Sequence, residues 1–100
     1  MAWLTRDDQV LATFGTGGVR LVRGPALVHT LGAAEPLDVA WCNQSRGQSE
    51  ETLEVRRIAT VGRFRVARPC LPGHAAVCAP AGAFERWKLQ VGDRLEVTGP

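Results

Sequence analysis

The feature that most constrains this chain is a period-two alternation over residues 37–42. Leu37, Val39 and Trp41 occupy alternate positions with Asp38, Ala40 and Cys42 between them. A period of two predicts a β-strand with one buried face and disagrees with the 3.6-residue repeat of a helix. Residues 27–31 alternate in the same way, and 32–36 begins with Gly32 and ends with Pro36. The stretch 28–41 is therefore predicted to form a strand, a short loop and a second strand.

The rest of the chain repeats short apolar segments separated by turn residues, as in β-rich domains. Further strands are predicted at 3–4 and 10–12 (around an acidic turn), 19–22, 53–60, 64–66, 75–79 and 94–98. The wholly polar segment 43–51 is predicted to be a solvated, mobile loop, and 61–73 a long connection. The apolar parity slips at Arg56–Arg57, which predicts a β-bulge.

One short helix is predicted, at about residues 81–88. Pro80 suits a first-turn position, and Phe84 and Trp87 stand three apart, so both would face the core. At 100 residues the chain is predicted to be a single domain, 1–100, and its eleven Gly and six Pro suit many short strands joined by turns. The expected fold is mainly β, a small antiparallel β-sandwich or partly open barrel with that helix.

Composition narrows the functional classes. The net charge is only +2, so it does not by itself require a nucleic acid or a membrane. Three Cys and no Cys-x-x-Cys favour a reduced, cytoplasmic chain without a disulfide framework. The first residues do not match a signal peptide, and no apolar run approaches the ~18 residues needed to cross a bilayer.

Two segments resemble a known family. His29-Thr30-Leu31-Gly32-Ala33 with 36–41 resembles the His-Thr-Phe-Gly-Met and Pro-Ile-Asp-Val motifs of the uncharacterised domain family numbered 192 among domains of unknown function. Residues 79–97 resemble that family's small-residue helix and closing Gly-Asp strand. Ala33 replaces the family's Met, and Phe14-Gly15-Thr16-Gly17-Gly18 replaces its arginine-rich turn. The resemblance implies a sandwich or partly open barrel, with a pocket more open than in relatives or lost, and implies no established activity.

Three polar residues within the apolar stretch are candidate site residues: His29, Thr30 and Asp38. Imidazole beside a carboxylate can be oriented and kept charged, so the cluster is a candidate for binding a small ligand or moving a proton. The alternative is structural, because a buried polar pair can satisfy its own hydrogen bonds and Asp38 can cap a turn. The sequence also predicts that His29 and Asp38 lie close together, with Leu37, Val39 and Trp41 in the core.

The second candidate is an arginine-rich window, since residues 55–84 contain no Asp or Glu. Its members are Arg56, Arg57, Arg63, Arg65 and Arg68. They could hold phosphates of a nucleic acid, with Phe64 as the one aromatic side chain available for stacking. Residues 84–97 also resemble the helix-turn-strand of AbrB-type DNA-binding barrels. The alternative is a solvated basic edge that deters aggregation.

Metal binding and catalysis have weaker support. Cys70, His74 and Cys78 recur every four residues, and Cys42 could complete a tetrahedral zinc site, but the run crosses Pro72-Gly73 and departs from metal-knuckle spacing. No nucleophile accompanies His29 and Asp38. We therefore expect a non-enzymatic module without metal or cofactor that binds a small ligand near His29, Thr30 and Asp38. The alternative is a nucleic-acid binder using segment 56–68, and the oligomeric state stays open.

Overall fold

The computed structural model describes residues 2–32, 34–47 and 50–99. They form seven strands and one helix, so the predicted mainly-β fold is confirmed. The strands are β1 (Trp3–Arg6), β2 (Gln9–Thr13), β3 (Arg20–Arg23), β4 (Leu37–Arg46), β5 (Glu51–Val61), β6 (His74–Pro80) and β7 (Arg94–Thr98), and the helix α1 (Ala83–Trp87) precedes β7.

All strands belong to one sheet in the order β2-β1-β7-β5-β4-β6-β3. Every neighbouring pair is antiparallel, and the sheet curls into a half-barrel. Of the two predicted architectures, the partly open barrel therefore describes the fold. The β1–β2 hairpin turns at Asp7 and Asp8, which both have positive φ, as a two-residue type I′ turn requires.

The sheet packs on both faces at its centre. An inner cluster joins side chains from central strands and from β1, β3 and α1, among them Leu4, Val55 and Phe84. An outer cluster lies on the opposite face around Val39 and Trp41. β4 contributes to both clusters, so the prediction that only one of its faces is buried is wrong. The predicted core positions Val39 and Trp41 are buried, and Leu37 is partly buried.

The polar segment 43–51 is not the predicted loop. β4 continues to Arg46 and β5 already begins at Glu51; residues 48 and 49 lie outside the described part of the chain. Polar side chains satisfy one another here: the Gln44 amide and the Arg23 guanidinium both donate to the buried Glu51 carboxylate. Because these partners replace water, the wholly polar end of β4 still pairs with β5, whose Leu53 opposite Gln44 is buried in the inner cluster.

The predicted bulge is confirmed. Trp41 pairs with Arg57 and Cys42 with Val55, so Arg56 is the extra residue on β5. Val55 lies in the inner cluster with Cys42, whereas Arg57 stands opposite Trp41 of the outer cluster. The extra residue therefore moves Arg57 from the inner side of the sheet to the outer side.

Two irregular segments, 26–31 and 62–71, run antiparallel to each other over the outer face; we call them the outer ribbon. The predicted strands at 27–31 and 64–66 are replaced by isolated bridges, Ala26 with Cys70 and His29 with Val66. Val28 and Cys70 are buried against the outer cluster. Position 24, just before the ribbon begins, requires glycine, because a Cβ there would lie 1.9 Å from the Leu71 carbonyl oxygen.

The helix is shorter than predicted, and Pro80 ends β6 instead of entering the first turn. Phe84 and Trp87 do pack together toward the inner cluster, with ring centroids 5.5 Å apart. Within the described residues, no helix has the length and apolar character needed to cross a membrane.

Candidate functional site

Asp38 is a structural cap. Its side chain lies on the inner face of β4, where Oδ1 accepts a hydrogen bond from Thr60 Oγ1 at 2.8 Å. Oδ2 accepts from the backbone N–H groups of Gly82 (2.9 Å) and Phe84 (3.2 Å). A five-residue helix lacks stability of its own, and this carboxylate satisfies donors that its first turn leaves unpaired. The hollow of about 500 Å³ beside it is lined also by Ile58 and Leu89.

His29 lies elsewhere, so the prediction that His29 and Asp38 meet is wrong. The physical reason is the alternation along β4: Asp38 faces the inner cluster, whereas the ribbon carrying His29 covers the outer face. His29 Nδ1 accepts a hydrogen bond from the Leu31 backbone N–H at 3.2 Å. Of the three candidate residues, only His29 and Thr30 share a hollow, of about 290 Å³, with Arg20 at its wall.

Thr30 is almost fully buried, and its hydroxyl anchors a turn of the outer ribbon. Oγ1 donates to the Gly62 carbonyl oxygen at 2.5 Å and accepts from the Arg65 backbone N–H at 2.9 Å. The Thr30 backbone N–H also donates to the Arg65 carbonyl oxygen at 2.8 Å. One side chain thus binds both ends of turn 62–65, so Thr30 fixes the position of Phe64 in that turn.

The turn carries Phe64, whose side chain is 66% exposed. Its φ is 55°, a left-handed conformation that is unusual for a bulky residue. Strained, exposed positions persist only where the surroundings hold them, and Thr30 does so here. The Arg63 guanidinium carbon lies 5.8 Å from the ring centroid, in the range of a cation–π contact. Phe64 is therefore presented to solvent with a cation beside it.

The five arginines of the window are all exposed on or beside the outer ribbon. Arg56 pairs with Glu54 at 3.3 Å, and both side chains are well exposed. The other four, Arg57, Arg63, Arg65 and Arg68, form no ion pair with any described residue. We call the exposed surface formed by the outer ribbon and the bulge, with these arginines and Phe64, the arginine face.

Part of this arginine face is concave. Arg56, Arg57 and Arg68 line a hollow of about 330 Å³ that also touches Trp41 and His74. Trp41 Nε1 donates to the Arg68 carbonyl oxygen at 3.0 Å and so fixes the ribbon against β4. Sequence reasoning found the arginines and the bulge but not Trp41 and His74 as their neighbours, because the alternation shows Trp41 only as a core residue.

The thiols do not form the hypothetical zinc site. Cys42 belongs to the inner cluster, and Cys70 and Cys78 to the outer one. Burial raises the pKa of Cys42 to about 12 and also raises the pKa of Cys70 and of Cys78. Among the described residues, no group of three or more His, Cys, Asp or Glu is placed to hold a metal ion. The thiols are thus protonated, buried packing groups at neutral pH.

Comparisons of the chain with protein-family models, with curated proteins and with solved structures find no match. The resemblance to the domain family numbered 192 stays a prediction. The function of the chain is therefore argued from its own residues and geometry.

Proposed function

We propose that the protein is a binding module for single-stranded nucleic acid and that the outer ribbon, with the bulge of β5, is its binding face. The observation that carries the proposal is the exposed Phe64 on a turn held by Thr30, among arginines without ion-pair partners in the described chain. Exposed aromatic rings stack on bases, and guanidinium groups hold phosphates. This combination of groups suits a single-stranded nucleic acid, because its bases are unpaired and can stack on an aromatic ring.

The surroundings of Phe64 support the same function. Leu31 and Val66 are more than half exposed on the ribbon, next to the charged side chains. Apolar contact beside cations suits a partner that combines flat, weakly polar rings with a charged backbone. The range 55–84 contains no acidic residue, and Glu54, which directly precedes it, is paired with Arg56. A purely solvated basic edge would need no anchored aromatic side chain.

The small-ligand function near His29, Thr30 and Asp38 has less support. The Asp38 carboxylate already accepts three hydrogen bonds, and the Thr30 hydroxyl is engaged in the turn. His29 remains beside the nucleic-acid face, because it pairs with Val66 on the ribbon. It is therefore better placed to contact a bound strand than to act with Asp38.

The test is fluorescence anisotropy with a labelled oligodeoxythymidylate of about 12 nucleotides, matching the site sizes of small binding domains. We expect binding at about 50 mM salt and a loss of about tenfold to a hundredfold at about 200 mM, the range for contact with three to five phosphates. Phe64→Ala should cost about 1–3 kcal/mol of binding free energy through the lost stacking.

Arg86→Gln is the matched control, since Arg86 is exposed on α1, outside the window, and its change removes the same charge. Arg63→Gln and Arg65→Gln should weaken binding, whereas Arg86→Gln should leave it nearly unchanged. The proposal fails if no strand binds at low salt. Equal binding of a duplex of the same length, unaffected by Phe64→Ala, would remove the stacking part of the proposal.

A further inference from the structure

We propose that the hollow beside the bulge is a binding site for a phosphate monoester. This inference rests on the proposed function, in which the monoester is the phosphorylated end of a strand. A free nucleoside monophosphate shares the same chemistry. The hollow, of about 330 Å³, lies between β5 and the outer ribbon and is lined by Trp41, Arg56, Arg57, Arg68, Leu71 and His74. Its volume falls at the small end of the range for ligand sites.

The cations of the hollow come from separate parts of the chain. The bulge moves Arg57 to the outer side of β5, opposite Trp41, and the ribbon supplies Arg68. Neither guanidinium has an ion-pair partner in the described residues, and only Arg56 is already engaged, with Glu54. Bulges commonly re-aim side chains at binding sites, and two free guanidinium groups provide bidentate donors for phosphate oxygens.

His74 adds a further donor or acceptor. Its Nδ1 lies 3.1 Å from the Pro72 carbonyl oxygen. A carbonyl only accepts hydrogen bonds, so Nδ1 carries a proton. Nε2 is then the ring atom available to a ligand. The ring is thus oriented by the backbone at the start of β6, at the wall of the hollow.

Charge favours a monoester over an internal phosphodiester. A monoester carries about −1.5 to −2 charges and three terminal oxygens, which matches two free guanidinium groups, whereas a diester carries one charge. Behind these cations, the buried side chains of Trp41 and Cys70 form the floor of the hollow.

The test compares three labelled oligodeoxythymidylates of about 12 nucleotides, with a 5′-phosphate, a 3′-phosphate or hydroxyl groups at both ends. One phosphorylated end should bind about tenfold more tightly than the hydroxyl strand. Arg57→Gln or Arg68→Gln should remove most of that preference. Arg63→Gln is the matched control, because it removes a charge from the same face outside the hollow. It should weaken all strands alike and leave their ratio unchanged.

Calorimetric titrations with thymidine monophosphate and with inorganic phosphate separate the two sources of the monoester. Equal binding of all three strands, with no heat from either small probe, overturns the hollow site but leaves the proposed function standing. If no strand binds yet thymidine monophosphate binds and Arg57→Gln removes that binding, the proposed function fails and the site belongs to a free nucleotide. No binding of any probe at low salt overturns both.

Discussion

The inner and outer faces of β4 are both buried against hydrophobic clusters, but their polar side chains differ in whether they have partners within the domain. On the inner face, the Asp38 carboxylate accepts three hydrogen bonds from within the domain, from Thr60, Gly82 and Phe84. On the outer face, Arg57 and Arg68 lie exposed without a described acidic partner. A polar residue in an apolar strand is thus a poor guide to function until its partners are known.

The two faces also differ in what their buried polar side chains stabilise. Asp38 stabilises a helix that contributes Phe84 to the core, whereas Thr30 stabilises a turn that exposes Phe64. Both anchors are buried. Only the second holds an apolar side chain out in water, where it gains nothing from folding. That difference is why the outer face is the better candidate for binding.

The largest contrast is expected from two deletions in β5. Removing one arginine of the pair Arg56–Arg57 takes away the bulge but keeps every following side chain on its face, so the domain should still unfold cooperatively. Removing Ala59 instead exchanges the inner and outer residues beyond it and should abolish the fold. Circular dichroism during thermal unfolding distinguishes the two. An unfolded arginine deletion would contradict the assignment of faces.

Asp38→Ala should lower the free energy of unfolding by about 3 kcal/mol, because two helix N–H groups and the Thr60 hydroxyl lose a charged acceptor. Asp38→Asn keeps one carbonyl acceptor and should cost about 1 kcal/mol. Urea unfolding measures both. Strand binding by the folded Asp38→Asn variant should match that of the wild type; a selective loss of binding would place function on the inner face.

Thr30→Val should lower the free energy of unfolding by about 2 kcal/mol, because the Gly62 carbonyl oxygen and the Arg65 N–H lose the buried hydroxyl as a partner. The neighbouring His29→Ala should change stability by less than about 0.5 kcal/mol, because His29 is only partly buried and its ring accepts one local hydrogen bond. Chemical denaturation compares the pair. A large loss of stability in His29→Ala would make the imidazole part of the framework.

Glu51 makes one region of the sheet sensitive to acid. Burial raises the pKa of Glu51, but hydrogen bonds from Arg23 and Gln44 and the charges of Arg23 and Arg46 outweigh it, so that pKa is lowered. A carboxyl whose pKa falls on folding stabilises the fold above its ordinary value near 4.5 and loses that contribution as pH drops through the lowered value.

Glu51→Gln should therefore lower stability by about 1 kcal/mol at neutral pH and approach the wild type below about pH 4. Denaturant unfolding at several pH values provides the measurement. The reverse trend, with the gap widening in acid, would show that the Arg23–Glu51 contact does not stabilise the sheet.

Much of the fold was predictable because strand periodicity and turn residues are local signals. Three local patterns predicted features that the structure contains: the alternation at 37–42 predicted strand β4, the parity slip at Arg56–Arg57 predicted the bulge, and the Phe84–Trp87 spacing predicted the helix. The strand in 43–51 was missed because its stabilising partner, Arg23, lies on another strand. The ribbon was predicted as strands because alternation there is real, but only isolated bridges form.

The candidate site was predicted less well, for a related reason. Asp38 lies 44 residues before Gly82 in the helix turn that it caps, so no local sequence pattern predicts this role. The arginine window was visible as composition, whereas its convergence with Trp41 and His74 depends on the outer ribbon folding over β4. Which polar atoms stay free is a property of tertiary contacts, and that property decides the site.

The most direct test of the account is a nuclear magnetic resonance titration of the ¹⁵N-labelled protein with an unlabelled oligodeoxythymidylate of about 12 nucleotides at low salt. The account predicts that amide shifts concentrate at residues 27–31, 56–57 and 62–74, while the amides near Asp38 and Gly82 stay in place. Shifts centred on the inner hollow beside Asp38 and Leu89, or no shifts at all, would contradict it.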